Sequence, residues 1–117
     1  PQVASVGLTE AQARERGYTI RIAVLPVGEA VPRAIVNGTA GIIKLVADAQ
    51  SGRLLGVHAV ADAAGELIGA ATLALKFHLT VTNLLETFFP YLTMVEGIKL
   101  AAQTFERDVA ELSCCAS

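Results

Sequence analysis

Apolar and polar residues alternate in short stretches through the first half of the chain, which is the pattern of β-strands with one buried face. Val3 to Val6 predicts a short strand of this kind. Tyr18 to Val27 predicts a longer one, because Ile20, Ile22 and Val24 alternate with more polar or smaller residues. Both segments are expected to be half-buried strands.

The segment between these two strands carries the start and stop signals of a helix. Thr9 is a favourable N-cap residue, and Gln12 stands three residues later, where its side chain can complete a capping box. Gly17 can end this helix as the C′ residue. Beyond the second strand, Arg33 to Val36 predicts another short strand before the turn at Asn37-Gly38.

The clearest signal in the chain is a β-hairpin. Residues 41–47 and 53–60 are both rich in aliphatic and β-branched side chains. The polar segment between them, residues 48–52, ends in Gly52. Two such stretches around a short polar turn predict two antiparallel strands.

Helical periodicity follows the hairpin. Asp62 is expected to cap a helix that runs to about Phe77, with Glu66 in its first turns, where the helix dipole favours a carboxylate. Apolar residues surround this helix on nearly every side, so we expect it to be covered on more than one side. It is therefore a candidate for contact with a partner subunit or another domain.

The rest of the chain predicts two further helices with a break between them. Thr80 starts a short helix through Leu85, and the aromatic run Phe88 to Tyr91 breaks it. A single apolar stripe from Met94 to Leu112 then predicts a final helix. With its strands first and its helices concentrated late, the chain is expected to have an α+β fold, an antiparallel β-sheet with flanking α-helices.

The bulk composition narrows the class of protein. The length of 117 residues suits one domain, and the 53% of hydrophobic residues can fill either a large core or an extra face for a partner. The net charge of −2 and the lack of a basic cluster argue against nucleic-acid partners and anionic membranes. No apolar run predicts a membrane span. The chain starts at Pro1 rather than Met, and we expect it to be part of a longer protein.

Most catalytic signatures are absent from the sequence. It contains no G-x-G-x-x-G, P-loop, G-x-S-x-G or C-x-x-C motif, so no dinucleotide site is expected within it. His58 falls in a predicted strand and His78 at a helix end. Neither has a partner cysteine or histidine at ligand spacing, so both are expected to be structural.

Cys114 and Cys115 are the strongest chemical candidates. They are adjacent and close to the end of the chain, which suits thiol chemistry in a reducing cytoplasm better than structural crosslinking. Neighbouring Cα atoms lie about 3.8 Å apart, below the usual lower limit for a disulfide. Two thiolates on a flexible tail, expected over residues 110–117, could instead converge on one soft metal ion. The alternative is that two tail cysteines are incidental.

The aromatic run Phe88-Phe89-Pro90-Tyr91 is the second candidate. Phe88 is expected to pack between helices as part of a hydrophobic loop. Tyr91 could serve differently, because its hydroxyl beside apolar rings is a polar group suited to an interface.

The residues together resemble a known family. The first ten residues, the hairpin and the segment Gly65-Glu66-Leu67-Ile68 are similar to the interface domain of FAD-dependent pyridine nucleotide–disulfide oxidoreductases. The resemblance covers nearly the whole chain, so residues 1–117 are expected to form one dimerisation domain with the interface fold of FAD/NAD-linked reductases.

One segment departs from the family pattern. In most members the stretch around Pro90 reads His-Pro-Thr-x-Ser-Glu, and its His acts as acid–base in the active site of the partner subunit. Here Phe89 replaces the His and Met94 replaces the Glu, so that role does not carry over, and Glu96 is not expected to take it. The run from Phe89 to Phe105, together with the terminal Cys pair, resembles instead the members of the family that reduce mercury(II).

This resemblance implies a specific division of labour. Hg(II) would be reduced to Hg(0) by NADPH through FAD, both bound by domains outside this chain. Cys114 and Cys115 would take Hg(II) from solvent thiols and pass it to the partner subunit's inner cysteines, with Tyr91 assisting the transfer. The chain would then form a homodimer in the cytoplasm, contact the FAD- and NADPH-binding domains of its parent protein, bind no cofactor and reduce nothing alone.

Two other interpretations remain open. The chain could be a purely structural dimerisation domain of another flavoprotein disulfide reductase. It could also be a free-standing metal-binding or interaction protein, in which case its gene would begin and end where this sequence does.

Overall fold

A four-stranded antiparallel sheet with strand order β1-β4-β3-β2 organises the chain, as the computed structural model shows for residues 1–112. This arrangement, with helices flanking the sheet, confirms the predicted fold class. The strands are β1 Gln2–Gly7, β2 Ile20–Pro26, β3 Ile42–Asp48 and β4 Leu54–Ala61. The helices are α1 Glu10–Glu15, α2 Val27–Ala30, α3 Pro32–Asn37, α4 Ala64–Lys76, α5 Val81–Glu86 and α6 Gly97–Gln103, followed by a 3₁₀ turn at Val109–Glu111.

One face of the sheet, called the inner face from here on, carries the main core. α4 packs against β1 and β4, and α6 packs against β2 and β3. All seven residues of α6 are buried, so this helix is covered on every side within the domain. The largest fully buried side chains of this core are Leu25, Ile43, Leu45, Leu54, Leu67, Ile98 and Leu100.

The opposite, outer face of the sheet is covered by α1 at one end. Ala13 of α1 packs there against Val46 and Leu55 in a second, smaller core. Leu55 reaches this face because the β3–β4 ladder has a bulge: Val46 pairs with Gly56, whereas Ala47 pairs with Leu54. The extra residue in β4 changes which side chains point outward beyond it.

The local signals of the first half predict its structure well. Thr9 and Gln12 form the expected capping box of α1. Gly17 has a φ of 88° and follows that helix, as a C′ glycine does. The predicted hairpin is confirmed as β3 and β4.

The predicted strand at Arg33 to Val36 is wrong, because these residues lie in α3. Pro32 is the first residue of this helix, where its fixed φ is favourable and its missing N–H costs nothing. Gly38 ends the helix in the left-handed conformation, with a φ of 67°. These two end signals outweigh the β-propensity of the isoleucine and valine between them.

The expected cap of α4 is also wrong. Ala63, not Asp62, is the N-cap residue, and its side chain makes no capping bond. A residue distant in sequence supplies the acceptor instead: the Gln2 side-chain oxygen of β1 accepts a hydrogen bond from the Gly65 amide at 2.8 Å. One side of α4 is buried by Ala64, Leu67, Ala71 and Ala74.

The final helix is much shorter than predicted. α6 ends at Gln103 rather than near Leu112. The Arg21 guanidinium donates to the Phe105 carbonyl at 2.9 Å, a carbonyl that a continuing helix would use for the amide four residues on. The apolar stripe still meets the core, because Phe105 and Leu112 pack against it.

Candidate functional site

The loop between α5 and α6, residues 87–96, holds Tyr91 and the aromatic run singled out in the sequence. A second capping box, made by Thr80 and Asn83, fixes the start of α5 on one side of it. The buried helix α6 anchors it on the other. The loop therefore lies on the helical side of the sheet, held at both ends.

Glu96 fixes the conformation of this loop from within. Its Oε2 accepts hydrogen bonds from the Leu92 amide at 2.6 Å and the Thr93 amide at 3.2 Å. The Glu96 amide in turn donates to the Thr93 hydroxyl at 3.4 Å, which completes a capping box. Because Glu96 is only 2% exposed, water does not compete for these amides.

A second contact ties the loop to α3. The Arg33 Nε donates to the Leu92 carbonyl at 3.1 Å. Leu92 itself adopts a left-handed φ of 66°, which a leucine rarely does without external support. The Glu96 carboxylate and the Arg33 guanidinium hold opposite sides of the same residue, so the strained turn has that support.

These loop contacts were missed in the sequence, although one of them has a sequence signal. The Thr93-x-x-Glu96 spacing is that of a capping box, and it could have marked the turn that leads into α6, which itself begins at Gly97. Arg33 carried no such signal, because its partner is a backbone carbonyl far away in sequence.

The three aromatic residues of the loop occupy different environments. Phe89, which replaces the histidine of the family pattern, is half-buried and packs against the main core. Phe88 is 95% exposed, so the expectation that it packs between helices is wrong. The Lys99 ammonium lies 5.4 Å from the centroid of its ring. Tyr91 is 65% exposed, with its ring available to another protein surface.

The segment after α6 leads toward the Cys pair and is fastened to β2. Besides the Phe105 carbonyl, the Arg21 guanidinium binds the Glu106 carboxylate at 2.9 Å and stacks 4.9 Å from the Phe105 ring centroid. Cys114 and Cys115 lie outside the described residues. Within residues 1–112, no group of three or more His, Cys, Asp or Glu side chains could hold a metal ion.

The other residues considered in the sequence have structural surroundings. The His58 Nε2 lies 2.9 Å from the Leu8 carbonyl oxygen, in the half-buried part of β4. His78 follows α4 with a φ of 54°, at a turn of the backbone. Glu66 lies exposed in the first turn of α4, as the helix dipole favours.

Two carboxylates outside the loop have lowered pKa values. A hydrogen bond from Lys44, followed by one from Arg14, holds the pKa of Glu10 below its ordinary value of 4.5. Asp48 accepts hydrogen bonds from the Gln50 amide and then the Ser51 hydroxyl in the hairpin turn, which lower its pKa from 3.8. Both effects serve the fold rather than a reaction, because they fasten α1 to β3 and close the turn.

The described residues do not fit FAD or a nicotinamide dinucleotide. A shallow depression lies on the outer face of the sheet, next to Val3, Ile42 and Val60. It is lined mainly by apolar atoms, and the one lysine in its lining, Lys44, is already paired with Glu10. The sequence offers no glycine-rich turn for a pyrophosphate. Among residues 1–112, no helix is long and apolar enough to cross a membrane.

The fold is an α+β domain with an aromatic loop on the helical side of its sheet. Residues 1–102 match the family described as pyridine nucleotide-disulphide oxidoreductase, dimerisation domain. The chain belongs to this family.

Mercuric reductases are among the chain's similar relatives. The chain is 61% identical over 117 residues to that of Lysinibacillus sphaericus, 60% to that of Bacillus cereus and 56% to that of Staphylococcus aureus. Each alignment covers 99% of this chain but only 21%, 18% and 21% of the relative, respectively. The chain thus spans about a fifth of the length of these relatives.

Solved structures share the fold. LpdA from Mycobacterium tuberculosis superposes with a TM-score of 0.81 at 26% identity, over 92% of this chain and 23% of that one. The HOCl-induced flavoprotein disulfide reductase RclA from Escherichia coli gives a TM-score of 0.80 at 30% identity, over 86% and 23%. Both support the predicted interface fold of the flavoprotein disulfide reductases.

Proposed function

We propose that this chain is the dimerisation domain of an NADPH- and FAD-dependent mercury(II) reductase, and that Cys114 and Cys115 deliver Hg(II) to the active site of the partner subunit. The observation that carries the proposal is the 54–61% identity to mercuric reductases over 99% of this chain. In this proposal the protein acts in the cytoplasm as a homodimer, bound to neither nucleic acid nor membrane.

The loop supports this assignment over a general disulfide reductase. A disulfide reductase with the family's histidine has an acid–base group at the position of Phe89, whereas the Phe89 ring cannot carry a proton and packs against the core. Tyr91, two residues on, is exposed and directly precedes Leu92, whose amide donates to the Glu96 carboxylate. We infer that Tyr91 assists Hg(II) transfer beside the inner site of the partner subunit.

The proposed delivery step is ligand exchange and needs no oxidant. Two sulfur–mercury bonds to solvent thiols break, and two bonds to Cys114 and Cys115 form. The cysteine thiols lose their protons, and the departing thiolates take up protons from water. Thiolates are the ligands that such soft ions prefer, and Hg(II) keeps its charge throughout the exchange.

The reduction itself belongs to other parts of the parent protein. It takes two electrons, which the family resemblance implies come from NADPH through FAD. The described residues offer neither group a binding site, so no step on this chain passes through them. The isolated chain is expected to bind one Hg(II) per Cys pair and to reduce none.

The test is made in the full-length parent protein. Oxidation of NADPH is followed with Hg(II) supplied on a small thiol and, separately, on a protein thiol. The double variant Cys114→Ala/Cys115→Ala should lose most turnover with the protein-bound mercury and little with the small complex. The matched control is Ser113→Ala/Ser117→Ala, which changes the same tail without removing a thiol.

Equal turnover of both mercury complexes by the alanine variant would contradict the delivery role. A parent protein that oxidises no NADPH with Hg(II) in any form would instead favour the alternative, a structural dimerisation domain of another flavoprotein disulfide reductase. Mass spectrometry of the isolated chain gives an independent check, since one Hg(II) should bind to the wild type and none to the double variant.

A further inference from the structure

Two peptide groups adjoin the Cα atom of Tyr91, and side chains of the same loop hold both of them. Before Tyr91, the Pro90 carbonyl accepts a hydrogen bond from the Thr93 hydroxyl at 2.7 Å. After it, the Leu92 amide donates to the Glu96 carboxylate at 2.6 Å. Each peptide group is planar and includes the Tyr91 Cα atom. Fixing both planes therefore fixes the direction in which the Tyr91 side chain leaves the backbone.

The Thr93 hydroxyl joins these two bonds into one unit. It donates to the Pro90 carbonyl and accepts a hydrogen bond from the Glu96 amide at 3.4 Å. The Thr93 amide donates in turn to the Glu96 carboxylate at 3.2 Å. One threonine thus connects the carbonyl before Tyr91 with the residue that holds the amide after it.

The backbone matters for Tyr91 because packing restrains its side chain little. The side chain is 65% exposed, whereas Phe89, two residues earlier, packs against the main core. Leu92, which follows Tyr91, has a φ of 66°, a conformation that leucine rarely adopts. The turn is therefore expected to relax toward an ordinary conformation, and to move Tyr91 with it, when the bonds around it are lost.

The proposed function places a geometric demand on this exposed ring. If Tyr91 assists Hg(II) transfer beside the inner site of the partner subunit, its hydroxyl has to reach one defined position there. A displacement of about 1 Å can slow a reaction by up to about a hundredfold. The groups that set the direction of Tyr91 are then part of what makes the transfer fast.

We propose that Thr93 is a positioning residue for mercury transfer, which sets the direction of Tyr91 through the Pro90 carbonyl and the turn at Glu96. This inference rests on the proposed function, because it requires Tyr91 to act on Hg(II). Thr93 itself does not contact the metal in this proposal. Its hydroxyl acts only through the backbone on either side of Tyr91.

The test compares threonine variants of the full-length parent protein. Thr93→Val keeps the shape of the side chain and removes the hydroxyl, whereas Thr93→Ser keeps the hydroxyl. Thr93→Ala removes the hydroxyl in a second way and covers the case in which the valine variant does not fold. Thr87→Val is the matched control, because the Thr87 hydroxyl also donates to a backbone carbonyl at 2.7 Å, that of Asn83, but at the other end of the loop.

Turnover is measured with Hg(II) on a small thiol and on a protein thiol. Thr93→Val should lower kcat with both complexes by the same factor, roughly three- to tenfold, the size that corresponds to one net hydrogen bond. Thr93→Ser should restore most of the activity, and Thr87→Val should match the wild type. Loss of the Cys pair differs from this pattern, because it should affect mainly the protein-bound mercury.

A double variant shows whether Thr93 acts through Tyr91. Tyr91→Phe has already lost the hydroxyl whose position matters, so Tyr91→Phe/Thr93→Val should be no slower than Tyr91→Phe alone. Multiplied losses in the double variant would overturn the inference. Wild-type turnover by Thr93→Val, an equal loss in Thr87→Val, or a loss that Thr93→Ser does not restore would overturn it as well.

Hydrogen exchange of the parent protein, followed by mass spectrometry, separates this inference from the proposed function. Amides of residues 88–95 should exchange faster in Thr93→Val and at the wild-type rate in Thr93→Ser and Thr87→Val. Unchanged exchange in Thr93→Val would refute the part of Thr93 alone. Faster exchange together with wild-type turnover by Tyr91→Phe would instead refute the transfer role of Tyr91, and the inference with it.

Discussion

Replacing Glu96 by alanine is the sharpest test of how the aromatic loop is held. Glu96 accepts two backbone hydrogen bonds, from Leu92 at 2.6 Å and Thr93 at 3.2 Å, and is 2% exposed. Hydrogen bonds to a charged group contribute about 1.5–3 kcal/mol each. Burying a carboxylate costs several kcal/mol, and the alanine variant no longer has this cost, which offsets part of the loss. The net loss expected for Glu96→Ala is about 2–4 kcal/mol.

The assay is urea unfolding of the isolated chain, supported by thermal melting. A loss of this size should lower the melting temperature by roughly 10–20 °C in a domain of this length. The control is Glu106→Ala, which removes a 68% exposed partner of Arg21 and should cost less than about 1 kcal/mol. Surface substitutions usually change the free energy of unfolding by less than about 0.5 kcal/mol. If the free energy of unfolding of Glu96→Ala differs from the wild type by no more than this, the buried capping box does not hold the loop.

Three further predictions concern the loop, the sheet and its surroundings. Tyr91→Phe removes one hydroxyl from an exposed ring, so it should leave unfolding unchanged and slow Hg(II) turnover by the parent; normal turnover would contradict the transfer role. Gly56→Ala places a Cβ against the Leu8 carbonyl oxygen, which should cost about 2 kcal/mol or more in urea unfolding. The lowered pKa values of Glu10 and Asp48 stabilise the fold above their ordinary values of 4.5 and 3.8, and this stability is lost as the pH falls through the lower folded values. Acid titrations of Glu10→Gln and Asp48→Asn should therefore show a weaker dependence below about pH 4.5 than the wild type, and an unchanged curve would contradict the assignment.

The sequence predicts those parts of the fold whose causes are local. The hairpin and the capping box of α1 depend on residues within a few positions of each other, and both are confirmed. The cap of α4 could not be found this way, because the acceptor for the Gly65 amide is the side chain of Gln2 on another strand. The end of α6 depends likewise on Arg21, which is distant in sequence from the carbonyl it binds.

The candidate site also contains features that the sequence predicted and features that it did not. The exposure of Tyr91 agrees with a role at an interface, and the family resemblance already distinguished Phe89 from the usual histidine. The exposure of Phe88 could not be predicted from the sequence, because two neighbouring phenylalanines carry no local signal that says which of them faces the core. The delivery role of Cys114 and Cys115 stays a prediction.

The bulge opposite Ala47 has a consequence for how this domain can change. Side chains alternate with a period of two along a strand, so one extra residue exchanges inward and outward positions on everything beyond it. On one side of the bulge, Ile42 pairs with Val60 and both side chains lie on the outer face; on the other side, Leu55 is turned toward α1. The choice of which side chains face outward can therefore change on one side of the bulge without changing on the other. A residue gained or lost near the hairpin turn would change the surface on which α1 packs, but it would not turn Ile42 and Val60 toward the core.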